Sequence, residues 1–222
     1  MNNDLYDYME DYSSHWEQTF NASQLKKDIE NNNKCNYFDV ENKQNVKESE
    51  LEKMINKLKK NCEKNGYGIS KITNLNGDCF FEVLVHNELA ESIPNIRKMV
   101  AALFISFKNV TGFFDCFPDD TLEQMFNKFS TNNKTKIITG DYVDYSFDVM
   151  CGDLICKGSW NKLPAHLMMM VISKCFNVKF VIINSEIDNV LTIDESKKDD
   201  TKEIGLGFLP EFHYIGIAKK KI

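Results

Sequence analysis

The 222-residue chain has no apolar run approaching the roughly 20 residues that a membrane-spanning helix requires. Its start, MNNDLYDYMEDYSSHW, lacks both the positive charge and the apolar stretch of a secretory signal, so a soluble, cytoplasmic chain is expected. A basic excess is missing too. With 27 Lys and Arg against 33 Asp and Glu, a formal charge of -6 and a pI near 5.3, the chain lacks the footprint that general nucleic-acid binding demands. The seven cysteines are odd in number and show no paired short spacings, which excludes a secreted disulfide framework. Cys151 and Cys156 form the closest pair, and no second pair or nearby histidine pair completes a zinc site, so no metal is expected. No internal repeat and no dinucleotide or P-loop glycine pattern occurs. Histidine is scarce, at His15, His86, His166 and His213. Against these absences stand 42% hydrophobic residues and sixteen phenylalanines, enough for one well-buried core with an extension.

The order of segments predicts where that core begins. Residues 1–48 start acidic and aromatic, continue rich in Asn and Lys, and show little periodicity, so they are expected to be a loosely ordered extension. From Ser49, a possible N-cap, Leu51, Met54, Ile55, Leu58 and Cys62 form one helical stripe that stops near Gly66. This helix, 49–65, is expected to pack on or lead into a domain spanning 49–222, or to serve as a partner-binding arm. YGISKIT then reads as a strand, Cys79 to Leu89 as a helix, and IPNIRKMVAALFISFKNV as a buried helix with Pro94 in its first turn. DDTLEQMFNKFST reads as a helix capped by Asp119 or Asp120, and KIITGDYVDYSFDVM gives only a weak strand signal. LPAHLMMMVISKCFN reads as an apolar helix, VKFVIIN as a buried strand, and LPEFHYIGIAKK as a turn and a second strand. The mixture indicates an α+β or α/β domain.

Chemistry concentrates in LNGDCFFEVLVHNEL, residues 75–89. Cys79 heads the predicted helix, where unpaired backbone N–H groups stabilise a thiolate and lower its pKa. The same N–H groups, with the Gly77 turn beside them, can receive the oxyanion of an acyl-transfer intermediate. A cysteine nucleophile also needs a base. His86 is seven residues down the same helix, about 10 Å along its axis, and cannot face Cys79. His213, at the head of the last strand and beside aromatic residues, is the candidate base. His166 reads as a helix-face histidine and Met168 to Met170 as core filling.

Three blocks of the sequence resemble the ovarian-tumour (OTU) family of cysteine proteases. NGDCFFEVL resembles the family's nucleophile motif, GSWNKLPAHLMMMVISKCFNVKFVII its Gly-x-Trp turn, helix and Asn-Val strand, and FHYIGI its closing His-Tyr strand. They occur in the family's order, over about 67–217. The resemblance implies a papain-like α+β fold: a small, mostly antiparallel central sheet flanked by helices, here with an N-terminal helical extension. It further implies a deubiquitinase in which His213 takes the proton of Cys79. The thiol then attacks an isopeptide or peptide carbonyl at the C-terminus of ubiquitin or a ubiquitin-like modifier, including polyubiquitin chains. Asn76, Gly77 and Asp78 become oxyanion or orienting candidates, and Trp160 a wall of the site. No metal or organic cofactor is implied.

The sequence departs from the family in two ways that bear on mechanism. Asn76-Gly77-Asp78 exchanges the family's Asp and Asn, which the turn geometry tolerates. The position two residues after the histidine, usually Asp or Asn, is Ile215, which cannot hold an imidazole tautomer. An orienting group from upstream of the cysteine is then required, with Asn74, Asn76 and Asp78 as candidates. Without one, activity is low, and the alternative is a catalytically weak or inactive ubiquitin-binding pseudoenzyme of the same fold. A fold-related protease acting on its own or a polyprotein chain is a third reading. The richness in Asn, Lys and Ile suits an AT-rich genome, such as that of a virus or intracellular bacterium acting in a host cytoplasm.

Overall fold

The stripe of Leu51, Met54, Ile55, Leu58 and Cys62 forms the helix α1 (Glu48–Lys64), which starts one residue before the expected Ser49 cap and ends ahead of Gly66, at φ +78°. A computed structural model describes residues 48–130, 134–136, 142–196, 198–210 and 213–220, and the acidic and Asn/Lys-rich segment 1–47 lies outside them. After α1 comes β1 (Tyr67–Lys71), then α2 (Cys79–His86). This second helix stops short of the expected Leu89, because the Asn87 side chain bonds back to the Val83 carbonyl and Glu88 adopts φ +58°. Next is α3 (Ile93–Phe107), capped by Ser92 with Pro94 in its first turn. α4 (Leu122–Phe129) is capped by Thr121 rather than Asp119 or Asp120, since Thr121 and Gln124 bond to each other's backbone N–H as a capping box.

The stretch with weak strand signals resolves into two different structures. It gives the short hairpin of β2 (Lys134–Lys136) and β3 (Tyr142–Asp144), then a helix, α5 (Phe147–Ile155), capped by Ser146. A 3-10 turn (Trp160–Lys162) leads into α6 (Ala165–Phe176), which Asn177 closes in the left-handed conformation. The strands β4 (Val178–Asn184), β5 (Val190–Ile193), β6 (Lys202–Leu209) and β7 (His213–Lys219) follow.

The main sheet has the order β1-β7-β6-β4-β5, antiparallel throughout except for the parallel pair β4 and β6. Each face buries a separate apolar cluster. On one, Leu58 and Cys62 of α1 join Val181, Ile183, Leu209, Ile215 and Ile217. On the other, the helices α2 to α6 pack with Phe180, Ile182, Ile204, Leu206 and Tyr214. Two glycines of β6 make the first cluster possible. A Cβ on Gly207 would stand 2.6 Å from Leu58 Cδ2, and one on Gly205 only 2.3 Å from the Ile217 carbonyl oxygen. The small residues let α1 lie close on the sheet. The result is an α+β fold with helices on both faces, which brings the start of α2 against β7.

Candidate active site

The turn before α2 is built around Gly77. It sits at φ +75°, and a Cβ there would fall 2.3 Å from the Gly158 carbonyl oxygen, so no other residue fits without moving the backbone. Its carbonyl accepts from the Trp160 N–H at 3.2 Å and from Arg97 Nη2 at 3.3 Å. The flanking side chains are each committed. Asn76 Oδ1 accepts the Asp78 N–H at 3.0 Å, while Asp78 Oδ1 accepts the Gly158 N–H at 3.1 Å and pairs with Arg97 Nη2. Asn74 gives its N–H and its Nδ2 to the two oxygens of Glu82, each at 3.0 Å. Arg97, on α3, is buried beneath this turn. Its Nη1 also donates to the Leu154 carbonyl at 3.0 Å and to Ser159 Oγ at 2.9 Å, and its guanidinium lies 4.1 Å from the Phe81 ring centroid.

Cys79 is the first residue of α2, as its sequence context implied, and it is 2% exposed. Its ionisation runs against the expectation of a lowered pKa. Burial pushes the thiol up to about 11, the Glu82 and Asp78 carboxylates add to that rise, and the backbone N–H groups of Tyr214 and Phe80 at the sulfur only partly offset it. Desolvation outweighs the helix terminus. His213 opens β7 and is 4% exposed; burial holds its pKa below the ordinary value, against the opposing effects of its Thr73 backbone bond and Glu82. Both groups are therefore neutral near pH 7. Among the described residues the thiol and the imidazole share no hydrogen bond, although Phe80, next to Cys79, packs its ring 5.9 Å from that of Tyr214, next to His213.

The imidazole is held by a residue that sequence reasoning missed. His213 Nε2 lies 2.8 Å from Thr73 Oγ1 and 3.1 Å from the Thr73 carbonyl oxygen, and Thr73 Oγ1 donates to the Tyr214 carbonyl at 2.5 Å. None of Asn74, Asn76 and Asp78 makes this bond, because their side chains are occupied by Glu82, the Asp78 N–H and Arg97. Asp78 also makes no side-chain cap to α2, and its own N–H is taken by Asn76. Ile215 is fully buried in the α1 cluster. Trp160 stacks on Phe80, the residue after Cys79, with ring centroids 4.1 Å apart and planes at 16°, and belongs to the core cluster on that face of the sheet. Ile72 and Leu75, at 55% and 60% exposed, flank Thr73 on the outer side of the same loop. His86 and His166 are exposed, His166 stacking on Phe129, and His15 lies outside the described residues.

No protein-family model and no curated protein matches the sequence. Among solved structures, the OTU domain of OTUD1 matches with a TM-score of 0.50 at 12% identity, over 74% of this chain and 94% of that one. The OTU of Hazara virus, solved bound to ubiquitin, matches with a TM-score of 0.48 at 10% identity, over 72% and 85%. An OTU deubiquitinase from Wolbachia pipientis, also bound to ubiquitin, matches with a TM-score of 0.38 at 12% identity, over 70% and 97%. The first of these likenesses shows that the chain has the OTU fold.

Proposed function

We propose that this chain is a thiol-dependent deubiquitinase, its protease domain spanning 49–222, with Cys79 as nucleophile and His213 as base. The observation that carries the reading is the meeting of α2 and β7. Phe80, the residue after Cys79, sets its ring centroid 5.9 Å from that of Tyr214, next in the chain to a histidine whose Nε2 is already fixed. In the reaction Cys79 Sγ forms a bond to the carbonyl carbon at the modifier's C-terminus while its proton passes to His213. The tetrahedral oxyanion faces backbone N–H groups of the turn. That of Cys79, first in α2, has no acceptor within the helix, and that of Asp78 is spent on Asn76. Collapse expels the amine, which takes the proton from His213, and water then releases the thioester. Because thiol and imidazole are both neutral at rest, proton transfer accompanies attack, and substrate binding must open the site around a thiol only 2% exposed.

A second reading is favoured by that same buried, neutral thiol: an OTU-fold protein that binds ubiquitin or a related modifier without cleaving it. Hydrolysis of ubiquitin carrying a C-terminal fluorogenic amide separates the two. The protease reading expects turnover that Cys79→Ala and His213→Ala each abolish. Binding of ubiquitin with no turnover in the wild type supports the second reading, and turnover that survives Cys79→Ala overturns the first.

A further inference from the structure

We infer that Thr73 is the positioning residue for the His213 imidazole, in place of the carboxylate or amide that Ile215 cannot supply; this rests on the proposed role of His213. The Thr73 carbonyl oxygen, 3.1 Å from Nε2, can only accept, so Nε2 carries a proton. The Thr73 hydroxyl has a single proton, which it gives to the Tyr214 carbonyl at 2.5 Å. Toward Nε2, at 2.8 Å, its oxygen is therefore an acceptor as well. Two acceptors from one residue fix the Nε2–H tautomer and leave the lone pair of neutral His213 on Nδ1, the nitrogen that can take the thiol proton. One side chain also ties β7 to the loop that leads into α2, since its two bonds reach His213 and Tyr214 together. Ile215 meanwhile lies fully buried in the cluster beneath α1 and gives the imidazole nothing. Unlike a carboxylate, a hydroxyl and a carbonyl orient the ring without adding a charge to stabilise an imidazolium.

The test uses the full chain with histidine 15N labelling, and His213→Ala to assign the ring. Long-range proton–nitrogen spectra of the wild type should show His213 with the proton on Nε2. Thr73→Ser should keep that signature and react with a ubiquitin C-terminal electrophile within about threefold of the wild type. Thr73→Val, which keeps the shape and the backbone carbonyl but loses the hydroxyl, should shift and broaden the Nε2–H signal and slow adduct formation on the order of tenfold, as expected for two lost hydrogen bonds. A wild-type Nδ1–H tautomer, or a Thr73→Val protein with unchanged signal and rate, overturns the inference. Should Thr73→Val fail to fold, the wild-type tautomer and the Thr73→Ser comparison still decide. If no form of the protein yields an adduct while Thr73→Val alone alters the His213 signal, the positioning role stands and the protease reading falls.

Discussion

Replacing Arg97 with methionine should damage both stability and the reactive turn. The guanidinium is 1% exposed and bridges Asp78, the Gly77 carbonyl, Ser159 Oγ and the Leu154 carbonyl, so its removal leaves a carboxylate, itself 1% exposed, without its countercharge. Breaking one side of a buried ion pair typically costs about 3–5 kcal/mol. For a domain of this size each kcal/mol lowers Tm by about 2–4 °C, so a fall of roughly 6–20 °C is expected. Methionine keeps most of the packing volume, so the loss reports on charge and hydrogen bonds more than on a cavity. The companion Asp78→Leu, Arg97→Met removes both charges and should be less destabilised than the two single changes predict, with a coupling of about 1–3 kcal/mol in urea unfolding. A Tm shift under 2 °C in Arg97→Met, or strict additivity in the cycle, would refute the claim that this pair holds the turn.

Three further outcomes follow from particular contacts. Gly77→Ala meets a positive φ and a 2.3 Å approach to Gly158. It should lose about 2 kcal/mol or more in denaturant unfolding, together with probe reactivity, and a wild-type stability curve would contradict the turn geometry. Ile215→Asp, which restores the acidic residue of the family pattern, should destabilise by several kcal/mol without raising activity, because the carboxylate enters the α1 cluster unpaired; faster turnover would show that Ile215 is a missing catalytic group. Cys79 holds its proton more tightly folded than unfolded, moving from 9.0 to about 11, so its stabilisation is complete below pH 9 and lost as pH rises through about 11. The contribution is roughly 2–3 kcal/mol, and Cys79→Ser should show a correspondingly shallower alkaline decline in stability; an unchanged slope would mean the thiol is not desolvated.

Much of this structure was legible where local pattern and burial agree. The apolar stripe of α1, the turn before Cys79 and the β-branched run of β4 were all readable from spacing alone. Other parts were hidden for identifiable reasons. α5 lies in a stretch whose sequence gives only a weak strand signal, yet Phe147, Met150, Cys151 and Leu154 are buried at helical spacing behind a Ser146 cap. KEIGLGFL of β6 carries two glycines that weaken a strand signal; their purpose emerges only against Ile217 of the neighbouring strand and Leu58, which is distant in sequence. Arg97 had a visible signal, a lone cation on the apolar face of α3, which burial turns into the anchor of the turn. Thr73 had none. The bonds it makes to His213 and Tyr214 cross 140 and 141 residues, and nothing in ITNLN distinguishes its hydroxyl from that of any loop threonine. At Cys79 the helix terminus is visible in sequence, whereas the desolvation that outweighs it comes only from the fold.

The most direct test of the central claim is to treat the full chain with ubiquitin bearing a C-terminal electrophile and map the modified peptide by mass spectrometry. One adduct is expected, on Cys79, that disappears in Cys79→Ala and slows sharply in His213→Ala. No adduct in the wild type, or one carried by another thiol such as the exposed Cys116, would contradict it.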